Sequence, residues 1–163
     1  MARALIVGCG CRGRELADAI GAEGWVVRGT SRTDAGAQEI RARGHEAMIA
    51  DPDRPAELLE MVGDVTVVHW LLGSAAGPRE NLEAIHGPRL ERLLEHLVDT
   101  PVRGFVYEAA GSVAPELLAG GAGAVREASE RWRIPARILE ADPSDHAAWT
   151  QSAVAATTDV LRG

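Results

Sequence analysis

The chain has 163 residues, 46% hydrophobic and 25% charged, a balance that suits one globular domain, residues 1–163, with a sizeable core. A formal net charge of −7 without a clustered basic stripe argues against nucleic acid as a partner, and no apolar run approaches the ~20 residues of a membrane span. Met1 leads straight into the first apolar run with no signal peptide between, and the two cysteines, Cys9 and Cys11, share one loop and cannot staple a fold, so a cytoplasmic protein is expected.

Ala4-Leu5-Ile6-Val7 is apolar without alternation, the pattern of a strand buried on both faces. Gly8-Cys9-Gly10-Cys11-Arg12-Gly13 follows, and Leu16, Ala17 and Ile20 then recur at helical spacing as far as Gly24. Trp25 to Thr30 reads as a second strand. Thr33 or Asp34 caps a helix that closes at Gly44. His45 to Ala50 is a third strand, stopped by Asp51-Pro52, and a short helix spans Pro55 to Val62. Val65 to Leu72 is the most apolar strand. After a loop from Gly73 to Pro78, helical sequence is broken at Gly87-Pro88, and Leu90, Leu93, Leu94, Leu97 and Val98 mark an amphipathic helix. Val102 to Ala109 is the fifth strand. Gly120 to Gly123 is expected as a loop before a helix carrying Val125, Ala128 and Trp132. Ala136 to Glu140 is the sixth strand, and Ser144 is expected to cap the last helix.

Strands and helices alternate six times. The expected architecture is α/β: a doubly wound parallel sheet of Rossmann type, order 3-2-1-4-5-6, with no separate substrate domain. The ligand crevice then lies at the carboxyl ends of the first and fourth strands. The G-x-G-x-x-G between strand and helix fits a dinucleotide site. Gly8 permits the tight turn, Gly10 admits the pyrophosphate and Gly13 lets helix pack on strand; a tight turn without a ligand is the plainer alternative.

Where an NAD site places Asp or Glu after the second strand, this chain has Thr30-Ser31-Arg32. Arginine beside a hydroxyl suits a 2′-phosphate, which favours NADP over NAD, with Arg12 as a second positive charge. The alternative for Arg32 is a surface arginine paired with Asp34. Asp51 stands where an adenine amine would be accepted, or is only a turn former. Leu71, Leu72 and Gly73 end the fourth strand beside the nicotinamide path, Gly73 allowing close backbone approach or serving as an ordinary loop glycine. His69 is an acid–base candidate or a core residue, and Trp70 packs. Cys11 accompanies the loop glycines. The two cysteines have no further metal ligands beside them in sequence, so no metal site is expected. The leucine face of the helix from Arg89 to Val98 offers either an oligomer surface or packing against the sheet.

The Gly-rich loop, Val67-Val68-His69-Trp70 and Phe105 to Val113 together resemble the short-chain dehydrogenase/reductases, closest to the extended and atypical branches related to NAD-dependent epimerases and dehydratases. The resemblance covers residues 3 to about 140. It implies a nicotinamide dinucleotide and a small-molecule substrate. It also implies a catalytic Ser/Thr after the fifth strand and a Tyr-x-x-x-Lys on the next helix. Here Ala110 stands at the serine position, with Ser112 two residues on. The helix has no tyrosine, and the protein has no lysine at all. Two readings follow. One is an NADP-dependent oxidoreductase with a different acid, Glu108, His69 or Asp142. The other is a protein that binds NADP as a sensor or interaction subunit without the usual turnover. A Rossmann domain that has lost its cofactor is a third.

Overall fold

The computed structural model describes residues 2–163. Strands β1 (Arg3–Val7), β2 (Val26–Ser31), β3 (Glu46–Ile49), β4 (Val67–Trp70), β5 (Gly104–Glu108) and β6 (Ala136–Leu139) form one parallel sheet. Its order is β3-β2-β1-β4-β5-β6. The crossovers are α1 (Cys11–Ala22), α2 (Asp34–Ala42), α3 (Pro55–Leu59), α4 (Arg79–Ile85), α5 (Pro88–Leu97) and α6 (Pro115–Trp132), with α7 (His146–Val160) after β6. The expected doubly wound sheet is therefore present, strand for strand. No helix among the described residues is long and apolar enough to cross a membrane.

The central strands are buried on both faces because successive side chains feed two separate cores. Leu5 and Val7 point to one side with Leu58, Val68, Trp70, Leu90, Phe105, Tyr107 and Val125. Ala4 and Ile6 point to the other with Leu16, Ile20, Val27, Ile40, Val106, Trp149 and Val160. On α5 the whole leucine face is buried in the first of these cores. The four leucines pack within the chain and so do not support the oligomer they suggested in the sequence, while Val98, at the end of the helix, stays exposed.

Three local features differ from the sequence reading. Gly120 to Gly123 is not a loop: α6 runs through it from Pro115 to Trp132. Each helical glycine costs about 1 kcal/mol relative to alanine. One of them answers a packing need, because a Cβ at Gly121 would collide with the Tyr107 ring. The last helix is capped by Asp145, whose carboxylate accepts from the Ala148 N–H at 3.2 Å, whereas the Ser144 hydroxyl donates to Asp142. The helix after the third strand is short and stops at Leu59. Thr33 caps α2 as expected, accepting from the Gly36 N–H at 3.1 Å.

Candidate functional site

A crevice of about 460 Å³ opens at the carboxyl ends of β1 and β4. Gly8, Gly10, Cys11, Arg12, Gly13, Ser31, Arg32, Asp51, Leu71, Leu72 and Glu108 all line it. The fold thus gathers residues 100 positions apart around the switch point where a doubly wound sheet binds its ligand.

The three loop glycines have three different surroundings. Gly8 has φ +82°, and a Cβ there would lie 2.6 Å from the Leu71 carbonyl oxygen. Its N–H donates to Thr30 Oγ1 at 3.3 Å. Gly10 is the N-cap of α1, and a Cβ on it would meet nothing within 4 Å. That open space faces the crevice, next to the free N–H groups and positive dipole end of α1. A Cβ at Gly13 would come 3.3 Å from both the Gly8 carbonyl and Ile6 Cγ2, so this glycine lets the helix sit against β1.

At the far end of the crevice, Ser31 Oγ accepts from the Thr33 N–H at 3.2 Å and packs on Gly36 at the start of α2. Arg32 makes no ion pair among the described residues, and Asp34 instead accepts from Gln38 Nε2 at 2.9 Å. The alternative of an Arg32–Asp34 pair is therefore not realised. Asp51 serves its turn: Oδ1 accepts from the Asp53 N–H at 2.9 Å, and its own N–H donates to Glu57.

Gly73 does not line the crevice. The carbonyl of Ala110 occupies the space a side chain there would need, and Gly111, at φ +144°, is crowded in turn by Gly73 and Ser74. The close approach that needs Gly73 is to the β5 loop, not to a ligand. Val113 N–H seals the seam with a 2.9 Å bond to the Gly73 carbonyl.

Glu108 ends β5 in the crevice wall, 4% exposed. Oε1 accepts from the Gly73 N–H and Oε2 from Trp149 Nε1, each at 2.9 Å. Burial raises its pKa, opposed by those two donors and by the Arg12 charge. The donor role of Trp149 depends on α7 folding back over the β5 end.

Two other acid candidates do not reach this geometry. His69 is fully buried between β4 and α7, with Nε2 2.8 Å from Thr157 Oγ1 and Nδ1 3.3 Å from the Leu5 carbonyl. Desolvation lowers its pKa to about 4. It is a hydrogen-bonded core residue, away from the crevice. Asp142 is exposed, and the Ser144 N–H and hydroxyl hold its pKa below the usual carboxylate range, so it is an acceptor and not a proton donor at neutral pH. Tyr107, the only tyrosine, is equally remote: its hydroxyl lies 2.7 Å from His86 Nδ1 in the core, while His86 Nε2 lies 3.0 Å from the Leu72 carbonyl.

The cysteines divide. Cys9 is buried against Gly29, and desolvation pushes its thiol up to about 12, the opposite of an activated thiolate. Cys11 is exposed on the first turn of α1. Glu15 stands one turn on along α1, and the fold brings His146 beside the pair. Arg12 lies there too, with Nη1 2.6 Å from His146 Nε2.

No family model matches the chain, and no curated protein matches it. Solved structures do. A short-chain dehydrogenase/reductase superfamily protein from Agrobacterium tumefaciens with bound NAD superimposes with a TM-score of 0.70 at 20% identity, over 85% of this chain and 48% of that one. UDP-glucuronic acid 4-epimerase from Bacillus cereus in complex with NAD gives 0.64 at 16% identity, over 85% and 56%. UDP-glucose 4-epimerase from Thermotoga maritima with UDP-glucose gives 0.70 at 12% identity, over 85% and 54%. The chain has the Rossmann fold of these dehydrogenase/reductase and epimerase structures and spans about half their length.

Proposed function

We propose that the chain binds a nicotinamide dinucleotide in the crevice, NADP in preference to NAD, and does so without the Ser-Tyr-Lys proton relay of the enzymes it resembles. The observation that carries this reading is the opening at Gly10. It is the one loop glycine whose missing side chain leaves free space, directly before the N-terminus of α1. Neighbours that hold NAD support a dinucleotide in this fold. An arginine without an ion-pair partner at the end of β2 supports a 2′-phosphate.

The residues divide the work along the crevice. The α1 N-terminus and Arg12 would hold the pyrophosphate, Ser31 and Arg32 the adenosine end, and Leu71 and Leu72 the nicotinamide side. The cofactor, when bound, would supply hydride chemistry. For proton movement this chain offers neither lysine nor a crevice-facing tyrosine. A binding or sensing role in the cytoplasm fits that deficit. A second reading, an NADP-dependent oxidoreductase acting on a small molecule, is favoured only by Glu108, whose burial moves it toward a protonated carboxyl in the crevice wall.

Calorimetric titration with NADP and NAD tests the proposal. One nucleotide per chain is expected, with binding abolished in a folded Gly10→Val variant. A Gly10→Val protein that keeps its nucleotide affinity refutes the site. NADPH absorbance with nucleotide sugars, alcohols, aldehydes and quinones separates the two readings: turnover lost in Glu108→Gln selects the enzyme, and no turnover selects the binder.

A further inference from the structure

We propose that Cys11, Glu15 and His146 form a binding site for a zinc-class transition-metal ion, joining the first turns of α1 and α7 at the lip of the crevice.

The donors come from two helices. Cys11 and Glu15 are one turn apart on α1 and therefore share a face; His146 is the first residue of α7. Cys11 Sγ lies 3.9 Å from Glu15 Oε1, and His146 Nδ1 lies 3.1 Å from the same oxygen. All three ligand atoms fall within 4.8 Å of one another. Around a tetrahedral ion with bonds of about 2.0–2.3 Å, ligand atoms stand roughly 3.3–3.7 Å apart, so small side-chain rotations close the set. One sulfur, one imidazole nitrogen and one carboxylate oxygen select zinc or cobalt over magnesium or calcium, which take oxygen donors. Three protein ligands leave a fourth position for water or another ligand.

Two further observations support the assignment. The frame is fixed before any ion arrives. Asp145 caps α7 at His146, and Trp149, one turn on, is fully buried and anchored to Glu108. A guanidinium also already lies against two of the three donors. Arg12 Nη1 lies 2.9 Å from His146 Nδ1, 2.6 Å from its Nε2 and 3.9 Å from Cys11 Sγ. The guanidinium lies against His146 and Cys11 and makes no ion pair with Glu15, which faces His146 instead, and its own Nε is buried without a partner. Arg12 is thus a built-in competitor, and an ion that enters must turn it away.

The test uses the full chain and needs no nucleotide. Cobalt(II) titration should produce a near-ultraviolet thiolate-to-cobalt band and intense visible bands of four-coordinate cobalt, both abolished by zinc. Cys11→Ser should remove the thiolate band, whereas Cys9→Ala should keep it. His146→Ala should weaken zinc binding in calorimetry by roughly tenfold or more. Arg12→Ala should tighten it severalfold. Circular dichroism verifies that each variant is folded. The site is refuted if cobalt gives no thiolate band, or if zinc affinity is unchanged in folded His146→Ala.

Discussion

Trp149 donates its indole N–H to Glu108 Oε2 across 2.9 Å, and this single bond ties the first turns of α7 to the carboxyl end of β5. Both side chains are buried, Trp149 fully and Glu108 to 4% exposure, so loss of the indole leaves Oε2 without its protein donor. Trp149→Phe should therefore cost about 1–3 kcal/mol, the penalty for an unpaired buried acceptor. It should also drive the Glu108 pKa further up. Urea unfolding of Trp149→Phe, Glu108→Gln and the double variant checks this. The two changes are expected to couple by about 1 kcal/mol or more, and simple additivity would contradict the pairing.

Gly8 and Gly10 should respond oppositely to a side chain. Gly8→Ala forces a Cβ onto the Leu71 carbonyl at a positive φ, so the thermal midpoint should fall, by the equivalent of about 1–3 kcal/mol. Gly10→Val meets open space and should leave the midpoint nearly unchanged while removing the nucleotide. Equal melting losses in the two variants would contradict these surroundings.

Arg32→Ala should erase most of the preference for NADP. A charge-assisted pair to phosphate is worth about 1.5–3 kcal/mol, so a preference of roughly tenfold or more should collapse while NAD affinity stays level. Equal affinity of the unmutated protein for NAD and NADP would overturn the assignment.

Acid should destabilise the fold through His69. Its folded pKa is about 4, below the ordinary 6.5, so its contribution is complete above about pH 6.5 and is lost as pH falls toward 4. The loss amounts to about 3 kcal/mol over that window. His86, also lowered by burial, adds in the same direction. Urea midpoints between pH 7 and 4 should fall less steeply in His69→Gln, and an unchanged slope would contradict the buried, neutral imidazole.

The sheet order and the glycine loop were legible because both are local: apolar runs and a motif of six consecutive residues. Arg12, Ser31, Arg32, Asp51, Leu71, Leu72 and Glu108 follow from the same register, since each ends or follows a strand at the carboxyl edge. What escaped depends on chain return. Gly73 answers to Ala110 on the next strand's loop, and Glu108 answers to Trp149 from the last helix. His146 reaches Glu15 across 131 residues, and no spacing rule announces that meeting. The glycines in α6 misled for a related reason: Gly121 is shaped by Tyr107, a residue of another element.

The burial of Tyr107 also makes the protein its own optical indicator. It is the only phenol in the chain, its hydroxyl is bound to His86 in the core, and burial raises its pKa. In a native sample brought to about pH 11, where a free tyrosine is largely ionised, the phenolate absorbance should be missing. It should appear only as the chain opens, so one wavelength would follow global unfolding in alkali without any added dye.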